Sequence, residues 1–166
     1  MNRQEVQLDY LFLDNETCQR CKETETVLDE TVDGLRTFLQ SAGIDLLINK
    51  AKITSQEEAK AYQFERSPSI LINGVDIGFE QRESNCKDCG DLCGCSDDFN
   101  CRSWVENGEE YEVPPKELLI KRILTGIFSG LQKAEEQYSV PEQLETFFAG
   151  KKEINEKQCC DSTCCS

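Results

Sequence analysis

Residues 13–30 read LDNETCQRCKETETVLDE. Just upstream, VQLDYLFL (6–13) alternates and then turns wholly apolar, the pattern of a strand entering a core. Downstream, Val27, Leu28, Val32, Leu35, Phe38 and Leu39 recur at helical spacing, and Gly43 supplies a stop. The quoted stretch therefore joins a strand to a long helix and sets Cys18 and Cys21 where that helix begins. Three readings of the pair are open there: a redox site, half of a metal site, or a buried couple with no chemistry.

Working outward, IDLLINK (44–50) reads as a second strand, and a strand–helix–strand order predicts a parallel crossover. TSQEEAKAY opens with Thr54 and Glu57 at capping-box spacing, predicting a short helix. SILI and VDIGF flank Asn73-Gly74, a strong hairpin signal, because that turn needs positive φ at both central residues. Pro115 opens another helical stretch with the stripe Leu119, Ile123, Leu124, Ile127, Phe128 and Leu131. A shorter helix is expected after Pro141, in PEQLETFFAG, and GKKEINEKQ (150–158) reads as a polar linker. The expected fold is α/β, in the order β-α-β-α-β-β-α. One domain covers residues 1–149, with a cysteine-rich insertion at about 80–113, and 150–166 form a flexible linker and cysteine-rich tail.

Composition narrows the function. The 166 residues suffice for one domain with a core, and no run approaches the roughly 20 apolar residues that span a bilayer. MNRQEVQLDY has no apolar h-region, so a cytoplasmic address is expected. A net charge of −14 argues against nucleic acid and anionic membranes as partners. There are 11 cysteines and no histidine, which removes histidine-containing zinc sites and every Cys–His catalytic pair. In a reducing compartment such a cysteine count points to metal binding or redox chemistry.

The element order, with Cys18-Gln-Arg-Cys21 at the first helix and Ser67-Pro68 before the third strand, resembles the thioredoxin superfamily over about residues 5–138. The SPSILING hairpin, the cysteine-rich segment and the Y-x-V-P-P-K-E-L entry to the last main helix are similar to those of a bacterial and archaeal thioredoxin-like family known only as a domain of unknown function. The resemblance implies that Cys18 attacks and that Cys21 is the more buried, resolving cysteine. It also implies that Pro68 is a cis-proline facing the pair, with a backbone edge left free for a thiol or disulfide protein partner or a reductase. A helix start favours thiolate over thiol, and only the thiolate attacks a disulfide. Gln19-Arg20 replace the Gly-Pro of typical thioredoxins, which bears on redox potential and partner.

The insertion carries Cys86, Cys89, Cys93, Cys95 and Cys101. Cys86-x2-Cys89 is a zinc-type half-site, but the remainder reads C-x-C and then a lone cysteine. Zinc or another soft metal, one or two disulfides exchanging with Cys18 and Cys21, and free thiols all remain open. Around a four-thiolate zinc, Lys87 and Arg102 would offset charge, whereas Asp88, Asp91, Asp97 and Asp98 would add to it. Trp104 and Tyr111 are expected to cover the insertion. The final stretch KQCCDSTCCS pairs Cys159 with Cys160 and Cys164 with Cys165, adjacent cysteines that do not readily bond to each other. They form a multidentate ligand suited to Cu(I), Hg(II), As(III) or Zn(II), resembling the tails of arsenical metallochaperones. Two functions follow as expectations: a thiol–disulfide oxidoreductase at Cys18 and Cys21, or a carrier of a soft metal or metalloid.

Overall fold

A computed structural model describes residues 2–80, 82–95, 99–130 and 137–161, with side chains as far as residue 157. Strand β1 (Gln4–Phe12) is its hub. Val6 and Leu8 are buried between exposed Glu5 and Gln7, and from Tyr10 to Phe12 every residue is buried. Parallel β2 (Ile44–Lys52) pairs with β1 from Gln4↔Ile44 to Phe12↔Lys52, while antiparallel β3 (Ser69–Ile72) takes its other side. β4 (Val75–Asp76) completes the order β2-β1-β3-β4. Asn73 and Gly74 adopt φ of 49° and 83°, as the hairpin requires. β4 is shorter than VDIGF suggests, because the Asp76 carboxylate accepts the Gly78 N–H at 2.7 Å and turns the chain.

Helix α1 (Gln19–Ser41) links the parallel strands and buries Leu28, Val32, Leu35 and Leu39. Phe38, expected in that stripe, is 54% exposed, since its position falls beyond the buried arc. Helix α2 (Gln56–Tyr62) starts one residue later than the Thr54/Glu57 box implies. Ser55 Oγ accepts the Glu58 N–H at 3.2 Å, and the Glu58 carboxylate accepts the Thr54 N–H at 2.8 Å. Helix α4 (Lys116–Phe128) buries Leu118, Leu119, Ile123 and Ile127, and packs on α1 and β3. Phe128 is 57% exposed, and Leu131 lies outside the described residues. Element order and sheet topology make this an α/β, thioredoxin-like fold.

The insertion is a small body of its own: β5 (Arg82–Asn85), α3 (Lys87–Cys93), β6 (Asn100–Glu106) and β7 (Glu109–Tyr111), with antiparallel order β5-β6-β7. Trp104 pairs across with Tyr111 and is 1% exposed, so it forms the core here. Arg122 of α4 donates to the carbonyls of Ile77, Gly78 and Val105, tying the insertion down.

Residues 150–158, read as a flexible linker, belong to helix α5 (Glu142–Asp161). Lys, Glu and Gln are good helix formers, and the first half of α5 docks firmly enough to propagate the helix. Leu144 and Phe147 are buried, the Phe147 ring lies tilted against Phe99 with centroids 5.2 Å apart, and the Gln143 amide exchanges hydrogen bonds with the Asn100 backbone. At Gly150 the two helices nearly touch: a Cβ there would lie 2.0 Å from the Cys93 carbonyl oxygen. Among the described residues, no helix is long and apolar enough to cross a membrane.

Candidate metal centre

The approach to α1 is shaped by Asp14, which is 4% exposed. Its Oδ1 accepts the N–H groups of Glu16, Thr17 and Cys18 and the Thr17 hydroxyl. Burial pushes the Asp14 carboxyl up, but the donors from Thr17, Cys18 and Glu16 outweigh it and hold the group below its usual range. The local sequence folds this way because an aspartate satisfies amides two to four residues onward without help from the rest of the chain. Cys18 thereby becomes the N-cap of α1.

Cys86 is the N-cap of α3, and Cys89 lies one turn on. Cys101 stands on β6 opposite Ser84 of β5. The Sγ atoms of Cys18, Cys86, Cys89 and Cys101 all lie within 4.8 Å of one another, and all four residues are buried. Cys18 Sγ and Cys86 Sγ are 3.8 Å apart. A tetrahedral ion with Zn–S bonds of about 2.3 Å sets its sulfurs about 3.8 Å apart, so the spacing suits one ion. Iron–sulfur clusters interpose sulfides and several irons, and need more room between their cysteines.

Charge within the group is uneven. Hydrogen bonds from Cys101 first, then from Cys21, Cys86 and Cys89, hold the Cys18 thiol far below its ordinary range. Cys86 is also lowered, chiefly by Cys101, with the Cys89 side chain and backbone N–H contributing. Cys101 and Cys89 are raised, the former mainly by donating to Cys18 and the latter by its bond with Cys101. Cys21 is raised chiefly by its bond to Cys18. The two lowered sulfurs are the two helix N-caps, where aligned peptide dipoles favour negative charge.

Arg20, which stands where typical thioredoxins have proline, supplies a buried cation. It is 6% exposed and donates to Ser84 Oγ at 2.9 Å and to the carbonyls of Ser84, Asn85, Cys101 and Arg102. It also pairs with Glu112 at 3.0 Å. One side chain of α1 thus staples β5 and β6 above the cysteines. Arg102, by contrast, turns away from the sulfurs to pair with Asp76, its guanidinium 5.4 Å over the Trp104 ring. Asp88 accepts the Gln19 N–H at 2.9 Å, so it serves the α1 terminus; Asp97 and Asp98 lie outside the described residues.

The expected site residues separate into groups. Cys18 joins Cys86, Cys89 and Cys101, and is 0% exposed. Cys21, also 0% exposed, lies aside with its Sγ 3.4 Å from Ser67 Oγ. Cys93 and Cys95, expected as ligands, form a disulfide with each other. A bonded pair has no thiolates to offer, and its two residues flank Gly94, the C-cap of α3. The side chains of Cys159 and Cys160, and all of Cys164 and Cys165, lie outside the described residues. Ser67–Pro68 is cis. The backbone edge beside it, expected to be free, is taken: Ser67 O accepts the Arg102 N–H at 2.7 Å. Strand β6 runs where a partner peptide was expected, and the residue before Arg102, Cys101, brings its sulfur to Cys18. A groove of about 430 Å³ is lined by Arg66, Asp76, Arg102 and Tyr138, among others, and by none of these cysteines.

No solved structure matches the chain. A protein of Archaeoglobus fulgidus described as "Uncharacterized protein" is 30% identical over 118 residues, covering 66% of this chain and 77% of that protein. A family described as a domain of unknown function (DUF2703) matches residues 5–123, from β1 into α4, with Cys18, Cys86, Cys89 and Cys101 all inside the match. The chain therefore belongs to the DUF2703 family.

Proposed function

We propose that this is a soft-metal-binding protein in which Cys18, Cys86, Cys89 and Cys101 hold one ion, zinc, as four thiolates. The convergence of four buried sulfurs within 4.8 Å carries this reading. Tetrahedral all-sulfur coordination is a zinc geometry, and a set with no open position makes the ion structural rather than a Lewis acid for substrate. The ion would pin the insertion across the start of α1, the place where a thioredoxin-like protein would otherwise meet its partner. Its net charge with four thiolates, −2, is offset by the helix N-terminus at Cys18 and the buried Arg20 guanidinium. Cysteine ligands of this kind suit a reducing cytoplasm. Native mass spectrometry with metal analysis of anaerobically purified protein tests it. One ion per chain is expected, lost in Cys101→Ser; metal-free protein whose cysteines alkylate freely without unfolding overturns it.

A second reading keeps thiol–disulfide exchange at Cys18 and Cys21 with a protein disulfide. It is favoured by the lowered Cys18 beside the raised Cys21, the asymmetry an attacking and a resolving cysteine need. It requires the insertion to lift from Cys18. Disulfide turnover by chelator-treated protein, abolished in Cys18→Ser and absent from the metal-bound form, would support it. The role of Cys159, Cys160, Cys164 and Cys165 in metal or metalloid uptake is a separate expectation, tested by comparing arsenite binding before and after their replacement with serine.

A further inference from the structure

Beyond the four-sulfur centre, the insertion holds one more pair of sulfurs, Cys93 and Cys95, bonded across a single intervening glycine. A cross-link stabilises chiefly by closing a loop in the unfolded chain, and the effect grows with loop length. A loop this small gains little compared with a long one, so the bond is a weak structural staple. Its two sulfurs also differ in access. Cys93, the last residue of α3, is 4% exposed and lies under α5, where Gly150 crosses its carbonyl. Gly94, at φ +67°, turns the chain outward as the helix cap. Cys95 then emerges half-buried at the helix end, its Sγ 3.9 Å from the Thr146 carbonyl. One sulfur is reachable from outside, and the other waits beneath it.

We propose that Cys93–Cys95 is a redox-active disulfide that oxidises dithiols, attacked at Cys95. A thiolate of the partner dithiol bonds to Cys95 Sγ, and the Cys95–Cys93 bond breaks. Cys93 leaves as thiolate and takes up a proton, with the Gly90 carbonyl oxygen 3.5 Å from its Sγ to accept the new S–H. The partner's second thiol, after losing its proton, attacks the partner sulfur of the mixed disulfide and releases Cys95, which is protonated in turn. Two electrons and two protons pass to the pair, and the partner leaves as a disulfide. A dithiol is preferred to a monothiol because its second sulfur is tethered beside the mixed disulfide. Glutathione disulfide or another small disulfide would reoxidise the pair. This activity uses none of the proposed ligands, and its test takes the zinc-bound form of the metal reading as its starting state, with thiols at Cys93 and Cys95 as its own readout.

The test uses the full-length, zinc-loaded protein with Cys159, Cys160, Cys164 and Cys165 replaced by serine. On adding limiting dithiothreitol, differential alkylation with tandem mass spectrometry should show one dithiol oxidised per chain, with new thiols confined to Cys93 and Cys95. Cys93→Ser should then form a mixed disulfide with glutathione disulfide at Cys95, at least tenfold faster than Cys95→Ser does at Cys93. Bound zinc should stay at one per chain in both variants. The proposal fails if both cysteines remain thiols in excess glutathione disulfide, or if the two variants react alike. It also fails if either variant loses zinc, which would make the pair ligands, or if the double variant still oxidises the dithiol.

Discussion

Residues 18–21 and 86–89 repeat one local device: a cysteine at a helix N-cap and another three residues on. In α3 both sulfurs enter the centre; in α1 only the first does. The difference lies in what else each helix buries. α1 carries its own apolar face, Leu28 to Leu39, and the Tyr10 hydroxyl donates to the Cys21 carbonyl at 2.5 Å, so packing sets its rotation and turns Cys21 toward Ser67. The seven residues of α3 bury only Cys89, Gly90 and Cys93. Its orientation depends on sulfur and on the α5 helix laid against it. An apolar face decides where a Cys-x-x-Cys pair points when the helix has one, and on the proposed zinc reading coordination decides when it does not.

The largest expected effect breaks this comparison if it fails. Cys89→Ser should lose the bound ion and leave β5–β7 amides exchanging rapidly in hydrogen–deuterium exchange, because zinc binding in small domains contributes about 10 kcal/mol or more of folding energy. Cys21→Ser should keep one ion per chain and a melting temperature within a few degrees of the parent; equal metal loss in both variants would mean the two motifs are equivalent. Next in size is Arg20→Met. It removes the donor from four carbonyls and a hydroxyl, leaving buried acceptors unpaired, and should cost about 3 kcal/mol in denaturant unfolding. A loss under about 1 kcal/mol would show that the insertion does not lean on α1 through this residue.

Gly78→Ala should cost about 2 kcal/mol and shift Trp104 fluorescence. A Cβ there would lie 1.6 Å from Arg102 Nη1, and the guanidinium it displaces stacks on that indole. The gentlest test is the pH profile of metal-free protein. Cys18 and Cys86 are lowered, so the folded state binds fewer protons than the unfolded one below the unfolded thiol value of about 8.5, and stability declines as pH falls. Cys21, Cys89 and Cys101 are raised, so above that value the folded state binds more protons, and stability declines as pH rises. Chemical unfolding should therefore show a maximum near pH 8 without metal. Zinc should flatten much of the alkaline side by ionising the raised thiols it binds, Cys89 and Cys101, while acid still strips the ion. An unchanged alkaline slope with zinc bound would place those two sulfurs outside its influence.

Much of this was legible along the chain. Strand alternation in residues 6–13, the helical spacing after Cys21, the Asn73-Gly74 turn and the caps near Thr54 and Pro115 are short-range signals, and each appears where expected, give or take a residue. Two were missed. The polar run at 150–158 has helix-forming residues but no apolar face, and only the docking of Leu144 and Phe147 reveals that the helix continues. Asp14 went unremarked, although an aspartate three and four residues ahead of Thr17 and Cys18 is the signal of a loop folded around its own carboxylate.

For the site, sequence by itself determined the half that is local: Cys18 at a helix start, and Cys86 and Cys89 at zinc-type spacing. Tertiary structure alone decided the other half. Cys93 and Cys95 were nearest in sequence and bond to each other, while the sulfur that completes the set comes from Cys18, 68 residues before Cys86. Periodicities of two and 3.6 residues describe how a segment meets its own neighbours. Convergence of sulfurs to within a few ångströms depends on how β6 lies along Ser67 and how Arg20 reaches β5, and those contacts exist only after the chain has packed.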